Sequence, residues 1–162
     1  GVVQHNDEER AFAAELRKTF PPQSAVPGIG AHFNADIAET VMEKTHDLTE
    51  PLNDFLMPYY SGTGFTAGST DVGDVSWLTP AAQIETATWP SGMPLHTWQT
   101  VACGKSSIAY KGMLCAGKVL AASAIDLIEN PELLKAAQDE FKRRAKGGYT
   151  CPIEPETVPT AL

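Results

Sequence analysis

Ala82-Gln83-Ile84-Glu85-Thr86-Ala87-Thr88-Trp89 is the stretch on which the fold class turns. Ile84, Thr86 and Thr88 alternate with neighbours of different character, and this period of two predicts a half-buried strand. Immediately after it, Trp89-Pro90-Ser91-Gly92-Met93-Pro94-Leu95-His96 is dense in turn formers. A loop at the carboxyl end of a strand is where open α/β sheets bind their ligands. Further on, Ser106 to Glu129 is apolar over a wide arc that includes Ile108, Leu114, Val119, Ile125 and Ile128. That pattern predicts a long helix, largely buried. Gly112, Gly117 and the alanines Ala121, Ala122 and Ala124 thin one side of it. A thin side lets a neighbouring strand or helix approach closely, which is a reason to keep glycines that each cost a helix about 1 kcal/mol.

Upstream, Asn6 followed three residues later by Glu9 reads as a capping box. Phe12, Leu16 and Phe20 then recur at helical spacing as the expected buried stripe, and Pro21-Pro22 ends the helix. Asn34 is placed to cap a second, weaker helix carrying Ile37, Val41 and Leu48, bounded by Pro51. From Pro58 to Gly73 the chain is loop-like and glycine-rich. Downstream, Asn130-Pro131-Glu132 starts a helix, with Asn as cap and Pro at the first helical position. Leu133, Leu134, Ala137 and Phe141 are its expected buried stripe, and Gly147-Gly148 stop it. Lys142, Arg143, Arg144 and Lys146 complement the negative end of its dipole, or else form an anion site. Residues 149–162 are expected to be an extended, proline-rich tail.

The chain has 162 residues and a formal charge of −8, from 12 Lys plus Arg against 20 Asp plus Glu. That balance argues against a nucleic-acid binder, which needs a basic surface to displace counterions, and against a polybasic membrane-surface protein. An apolar fraction of 43% with 20% charged residues is ordinary for a folded chain. No apolar run is long enough to cross a bilayer. No signal peptide opens the sequence, and Gly1 in place of Met reads as a cut from something longer. Three cysteines, Cys103, Cys115 and Cys151, without close pairing, suggest free thiols, a reducing compartment and a cytoplasmic location.

Several chemistries fail on inspection. Gly104-Lys105-Ser106 resembles the end of a phosphate-binding loop, but Gln99 stands where its first glycine is needed. Gly62 to Gly68 carries one residue too many for a dinucleotide fingerprint. There is no Gly-x-Ser-x-Gly elbow, no His-Glu-x-x-His and no Cys-x-x-Cys. His5, His32 and His46 lie near helix ends or charged loops and are expected to be exposed. His96 differs: it follows the strand-end loop in mostly uncharged surroundings, which suits a metal ligand, an acid–base group or a structural histidine. Asp71 and Asp74 flank Gly73 and could bind a metal, orient a histidine, or simply cap a helix and turn the chain. A zinc site needs about three protein ligands, so His96 alone cannot make one. A triad of Asp71, His96 and Ser69 is a further reading, against which the missing elbow counts.

Three motifs carry a resemblance: Gly68-Ser69-Thr70-Asp71-Val72-Gly73-Asp74-Val75-Ser76-Trp77, Pro94-Leu95-His96-Thr97-Trp98-Gln99 and Gly104-Lys105-Ser106-Ser107-Ile108-Ala109-Tyr110-Lys111-Gly112-Met113-Leu114. In this order they resemble the C-terminal part of the p-aminobenzoyl-glutamate hydrolase family, among the aminoacylase and carboxypeptidase-type metal-dependent amidohydrolases. The resemblance runs over nearly the whole chain. It implies an α/β fold, with residues 1–162 as the C-terminal half of a zinc-peptidase-like catalytic domain, a mixed sheet flanked by helices. It implies metal-assisted hydrolysis of the amide bond of a small N-acyl amino acid such as p-aminobenzoyl-glutamate, with zinc or manganese as cofactor. The family's other ligands and its glutamate base would come from sequence not present here, so the chain by itself is expected to be inactive. His96 would be a metal ligand, with Asp71, Ser69 and Gly92 binding substrate or supporting the site. Relatives commonly carry His where Tyr110 stands, a departure at that position. The longer protein is expected to be oligomeric, with a homologous subunit as partner. A non-catalytic α/β binding or assembly module that has lost the metal site is the other reading.

Overall fold

A computed structural model describes residues 2–21, 43, 50–56 and 70–158. Among them lie five well-defined helices: α1 (Asp7–Arg17), α2 (Val72–Leu78), α3 (Trp98–Gly104), α4 (Ser107–Glu129) and α5 (Pro131–Arg144). No strand occurs among the described residues, so the expected mixed sheet, and with it the α/β class, is not supported. The helix expected between Asn34 and Leu48 and most of the glycine-rich stretch lie outside the described residues.

Residues 82–89 show why the strand expectation failed. Ile84, Thr86 and Thr88 are half-buried while Glu85, Ala87 and Trp89 are exposed, so the period of two is real. A strand also needs a backbone ladder, which no local pattern can supply. Here the segment lies on helix α4 instead. Thr86 Oγ1 donates to the Gly112 carbonyl at 3.0 Å, and a Cβ built on Gly112 would stand 2.3 Å from the Ala87 carbonyl oxygen. Cys103 Sγ donates to the Thr88 carbonyl at 3.4 Å from the adjoining helix. The glycine in the long helix therefore serves close approach, but to a coil rather than to the expected strand or helix.

The described residues divide into two compact units. The first comprises those up to Leu56 together with Ile84–Leu120. Its helix α1 begins with the capping box: Asn6 Oδ1 accepts from the Glu9 amide at 2.9 Å, and Glu9 Oε2 accepts from the Asn6 amide at 2.8 Å. Ala13, Leu16, Phe20, Leu52, Met93, Cys103 and Ile108 form the core. Phe12 is 39% exposed, so the buried stripe runs through Glu9, Ala13 and Leu16 rather than through Phe12. The buried Gln99 of α3 donates to the carbonyl and hydroxyl of Thr19, tying α3 to the end of α1.

The second unit comprises residues 70–83 and 121–158. Helix α5 starts as expected: Asn130 caps it, accepting from the Leu133 amide at 3.1 Å, with Pro131 at the first helical position. The tail from Tyr149 carries no helix and turns where the Thr157 amide donates to the Glu154 carbonyl.

Two burial expectations are overturned. Helix α4 has its predicted length, but only Ile108 and Gly112 are buried, and Leu114, Leu120, Ile125 and Ile128 are exposed, the last at 80%. Leu133 and Leu134 of α5 are exposed as well. Apolar periodicity reports which face gains by being covered; it does not say that this chain supplies the cover.

Candidate functional site

The loop from Trp89 to His96 is pinned at several points. Pro90 is fully buried and Met93 nearly so. The Ser91 amide donates to the Pro51 carbonyl at 3.0 Å, and the Met93 amide to that of Pro90 at 3.3 Å. Gly92 turns the chain at φ +72°, a conformation open to glycine at no steric cost. The Pro94 carbonyl accepts from Thr97 Oγ1 at 3.0 Å and Thr100 Oγ1 at 3.2 Å, joining the loop to the start of α3.

Those restraints hold His96 at φ +58°, in the left-handed region that side chains other than Asn, Asp and His seldom enter. Such a conformation costs on the order of 1 kcal/mol and persists where surrounding bonds over-determine it, often at functional sites. The imidazole is exposed, and no described residue is bonded to it. It is thus neither walled into the core nor spent on a structural bond.

Asp71 lies in the second unit, just ahead of α2, and is exposed. Its side chain makes no cap bond; the Val72 amide donates instead to Thr70 Oγ1 at 3.3 Å. The carboxylate is therefore not consumed by capping. Gly92 and His96 share the first unit, Asp71 is in the second, and Ser69 lies outside the described residues. Tyr110 is exposed on α4.

As a metal centre the arrangement is partial. His96 offers one free imidazole, which fits a single coordination position. Among the described residues no three His, Cys, Asp or Glu side chains converge to hold an ion. The three cysteines are unpaired, and Cys103 is buried with its thiol on the Thr88 carbonyl.

Among the described residues, the most connected polar cluster is one the sequence did not reveal as a whole. Glu9 is buried and accepts from Ser107 Oγ at 2.6 Å, Lys111 Nζ at 2.7 Å and the Asn6 amide at 2.8 Å. Lys111 also donates to the Gln4 carbonyl at 3.0 Å. Burial pushes the Glu9 carboxyl up, and the bonds from Lys111, Ser107 and Asn6 more than reverse it, holding it at about 2. The His5 side chain, expected to be exposed, is fully buried, its Nδ1 3.6 Å from Glu9 Oε2. Burial, aided by Lys111 and Arg10, lowers its pKa in spite of Glu9. Local signals marked its two halves separately: the Asn6–Glu9 capping box, and the spacing of Ser107 and Lys111, four apart on one helix face. A carboxylate so saturated with donors is a clamp between α1 and α4, not a proton shuttle.

The clamp predicts acid sensitivity. Glu9 has a lowered folded pKa, so its contribution is complete above about 4.5 and is lost as pH falls towards about 2. His5 is also lowered, so unfolding takes up a proton below its unfolded value of 6.5, and stability declines from there downward. Glu9→Gln should cost about 2 kcal/mol at pH 7, the scale of a hydrogen bond to a charged group, and should flatten the lower part of the acid transition. Urea titrations between pH 3 and pH 7 check both; an unchanged profile would show that the clamp carries no stability.

No family model and no solved structure matches the chain. A curated hydrolase does. The chain is 37% identical over 166 aligned residues to a subunit of the p-aminobenzoyl-glutamate hydrolase of Escherichia coli (strain K12), covering 100% of this chain and 34% of the relative. The chain belongs to that protein's family and spans about a third of the relative's length. Among the described residues no helix is long and apolar enough to cross a membrane.

Proposed function

We propose that this chain forms part of a hydrolase that cleaves the amide bond of small N-acyl amino acids, p-aminobenzoyl-glutamate among them. The observation that carries the reading is the identity along the whole chain to a hydrolase named for that substrate. The pinned, exposed His96 supports a metal-dependent reaction in which its imidazole supplies one ligand to a divalent ion, zinc or manganese. Such an ion would polarise the scissile carbonyl and acidify a bound water. Within this chain, Gly92 lets backbone approach a ligand, His96 presents a nitrogen, and Asp71 offers an unspent carboxylate, with Ser69 beside it in sequence.

The remaining donors would come from further polypeptide. The bare apolar flank of α4 supports this, since a helix so apolar is stable only against more protein. The relative is named as one subunit of its hydrolase, which supports a second, different subunit as partner. The unpaired thiols agree with a cytoplasmic protein.

The test is release of p-aminobenzoate from p-aminobenzoyl-glutamate, measured for the 162-residue chain alone and for a family-length protein that includes it. Turnover is expected from the longer protein only. Turnover by the isolated chain would refute the shared site, and none from either would refute the substrate class.

A further inference from the structure

Residues 2–5 run ahead of α1 in the first unit and form no helix. Little fastens them. Among the described residues their one hydrogen bond joins Lys111 Nζ of α4 to the Gln4 carbonyl at 3.0 Å, and Val2 and Val3 are half-buried. The His5 side chain is fully buried, yet neither of its ring nitrogens has a hydrogen-bond partner among those residues. A buried polar group without a partner forfeits its hydration, so the ring's burial works against the segment that carries it. Glu9 does not offset this. Its Oε2, 3.6 Å from His5 Nδ1, already accepts from Lys111 Nζ at 2.7 Å and from the Asn6 amide at 2.8 Å, which fills both lone pairs of that oxygen.

We infer that residues 2–5 form an acid-released strap, fastened to α4 while the His5 ring is neutral and freed when the ring takes up a proton. The charged groups facing the ring are Glu9 and Arg10 of α1 and Lys111 of α4. Burial disfavours the imidazolium in that place, and Lys111 and Arg10 add to it, by more than Glu9 attracts it. In the open strap the ring is hydrated and titrates near its ordinary value of 6.5. Closure is therefore most favoured above that value and weakens as pH falls below it. For the one proton gained, the ratio of open to closed strap rises by up to about tenfold per pH unit. Glu9 keeps its bonds to Ser107, Lys111 and the Asn6 amide in either state, so α1 and α4 stay joined. Nothing in this device depends on the proposed hydrolysis.

The test is an NMR titration from about pH 8 to about pH 5 of a family-length protein carrying this chain, with labelled valine and isoleucine methyls and labelled histidine rings. As pH falls below about 6.5, the Val2 and Val3 methyl resonances should move towards random-coil positions together with the His5 ring signal. The methyls of Ile108, buried in the core, should hold still over the same range. His5→Leu keeps an apolar side chain in place and cannot take the proton, so its valine resonances should stay fixed throughout. His5→Phe, which keeps a flat ring, should behave alike. Valine resonances that stay fixed in the parent would overturn the inference, whether or not His5 titrates, because the strap then does not open. Movement that persists in both variants would overturn it too, since another group would then drive the release. Movement of Ile108 in step with Val2 and Val3 would mean that the whole unit unfolds and that no separate strap exists.

Discussion

His96→Ala is expected to reduce hydrolysis of p-aminobenzoyl-glutamate by at least about 100-fold in a family-length protein carrying this chain. Loss of residues that merely support a ligand already costs 10–100-fold, and a ligand should cost no less. The backbone gives the reason. Bonds at Ser91, Met93, Thr97 and Thr100 hold position 96 at φ +58° while its ring stays exposed and has no bond among the described residues. A strained backbone beneath an exposed ring is the observation from which a ligand role for that ring is argued. Alanine at that φ is itself strained, so His96→Gly is the companion variant. It removes the imidazole and relieves the backbone, and should leave stability within about 1 kcal/mol of the parent. Equal loss of hydrolysis in both variants would place the effect in the ring and not in the fold.

Gly112→Ala is expected to destabilise the chain by about 2–3 kcal/mol, the upper range for forcing extra volume into a packed contact. In an open helix the same change gains about 1 kcal/mol, so the sign is the informative part. At Gly112 the new methyl would meet the Ala87 carbonyl oxygen at 2.3 Å and Thr88 Cγ2 at 2.7 Å. The first of these is backbone and cannot rotate away. Relief requires residues 86–88 to lift off α4, which breaks the Thr86–Gly112 bond and the Cys103–Thr88 bond. Gly117 is the internal control: an added Cβ there meets nothing within 4 Å. Gly117→Ala should be neutral or stabilising by up to about 1 kcal/mol. Denaturant midpoints of the two variants check this, and equal shifts would show that the coil does not rest on α4.

What could be read in the sequence was local. Asn6 with Glu9, Asn130 with Pro131, and the length of α4 each depend on residues a few positions apart, and each is observed. The alternation at Ile84, Thr86 and Thr88 was legible too, but its meaning was not. Period two marks an extended, half-buried segment, and a ladder depends on a partner remote in sequence. The same limit hid His5, whose burial comes from the meeting of α1 and α4, with Glu9 and Lys111 102 positions apart. It also misjudged α4 and α5, where apolar faces at Ile128 and Leu133 stand uncovered. At the candidate site, composition and motif order singled out His96 and Asp71. The left-handed backbone of the first and the uncommitted carboxylate of the second became visible only in three dimensions.

If His96 completes a metal site with donors from further polypeptide, the metal content of a purified family-length protein must depend on that one imidazole. Elemental analysis of the parent beside its His96→Gly variant reads this out. Zinc or manganese should be bound in the parent and depleted in the variant, with both folded to the same extent. Undiminished metal in the variant would exclude His96 as a ligand.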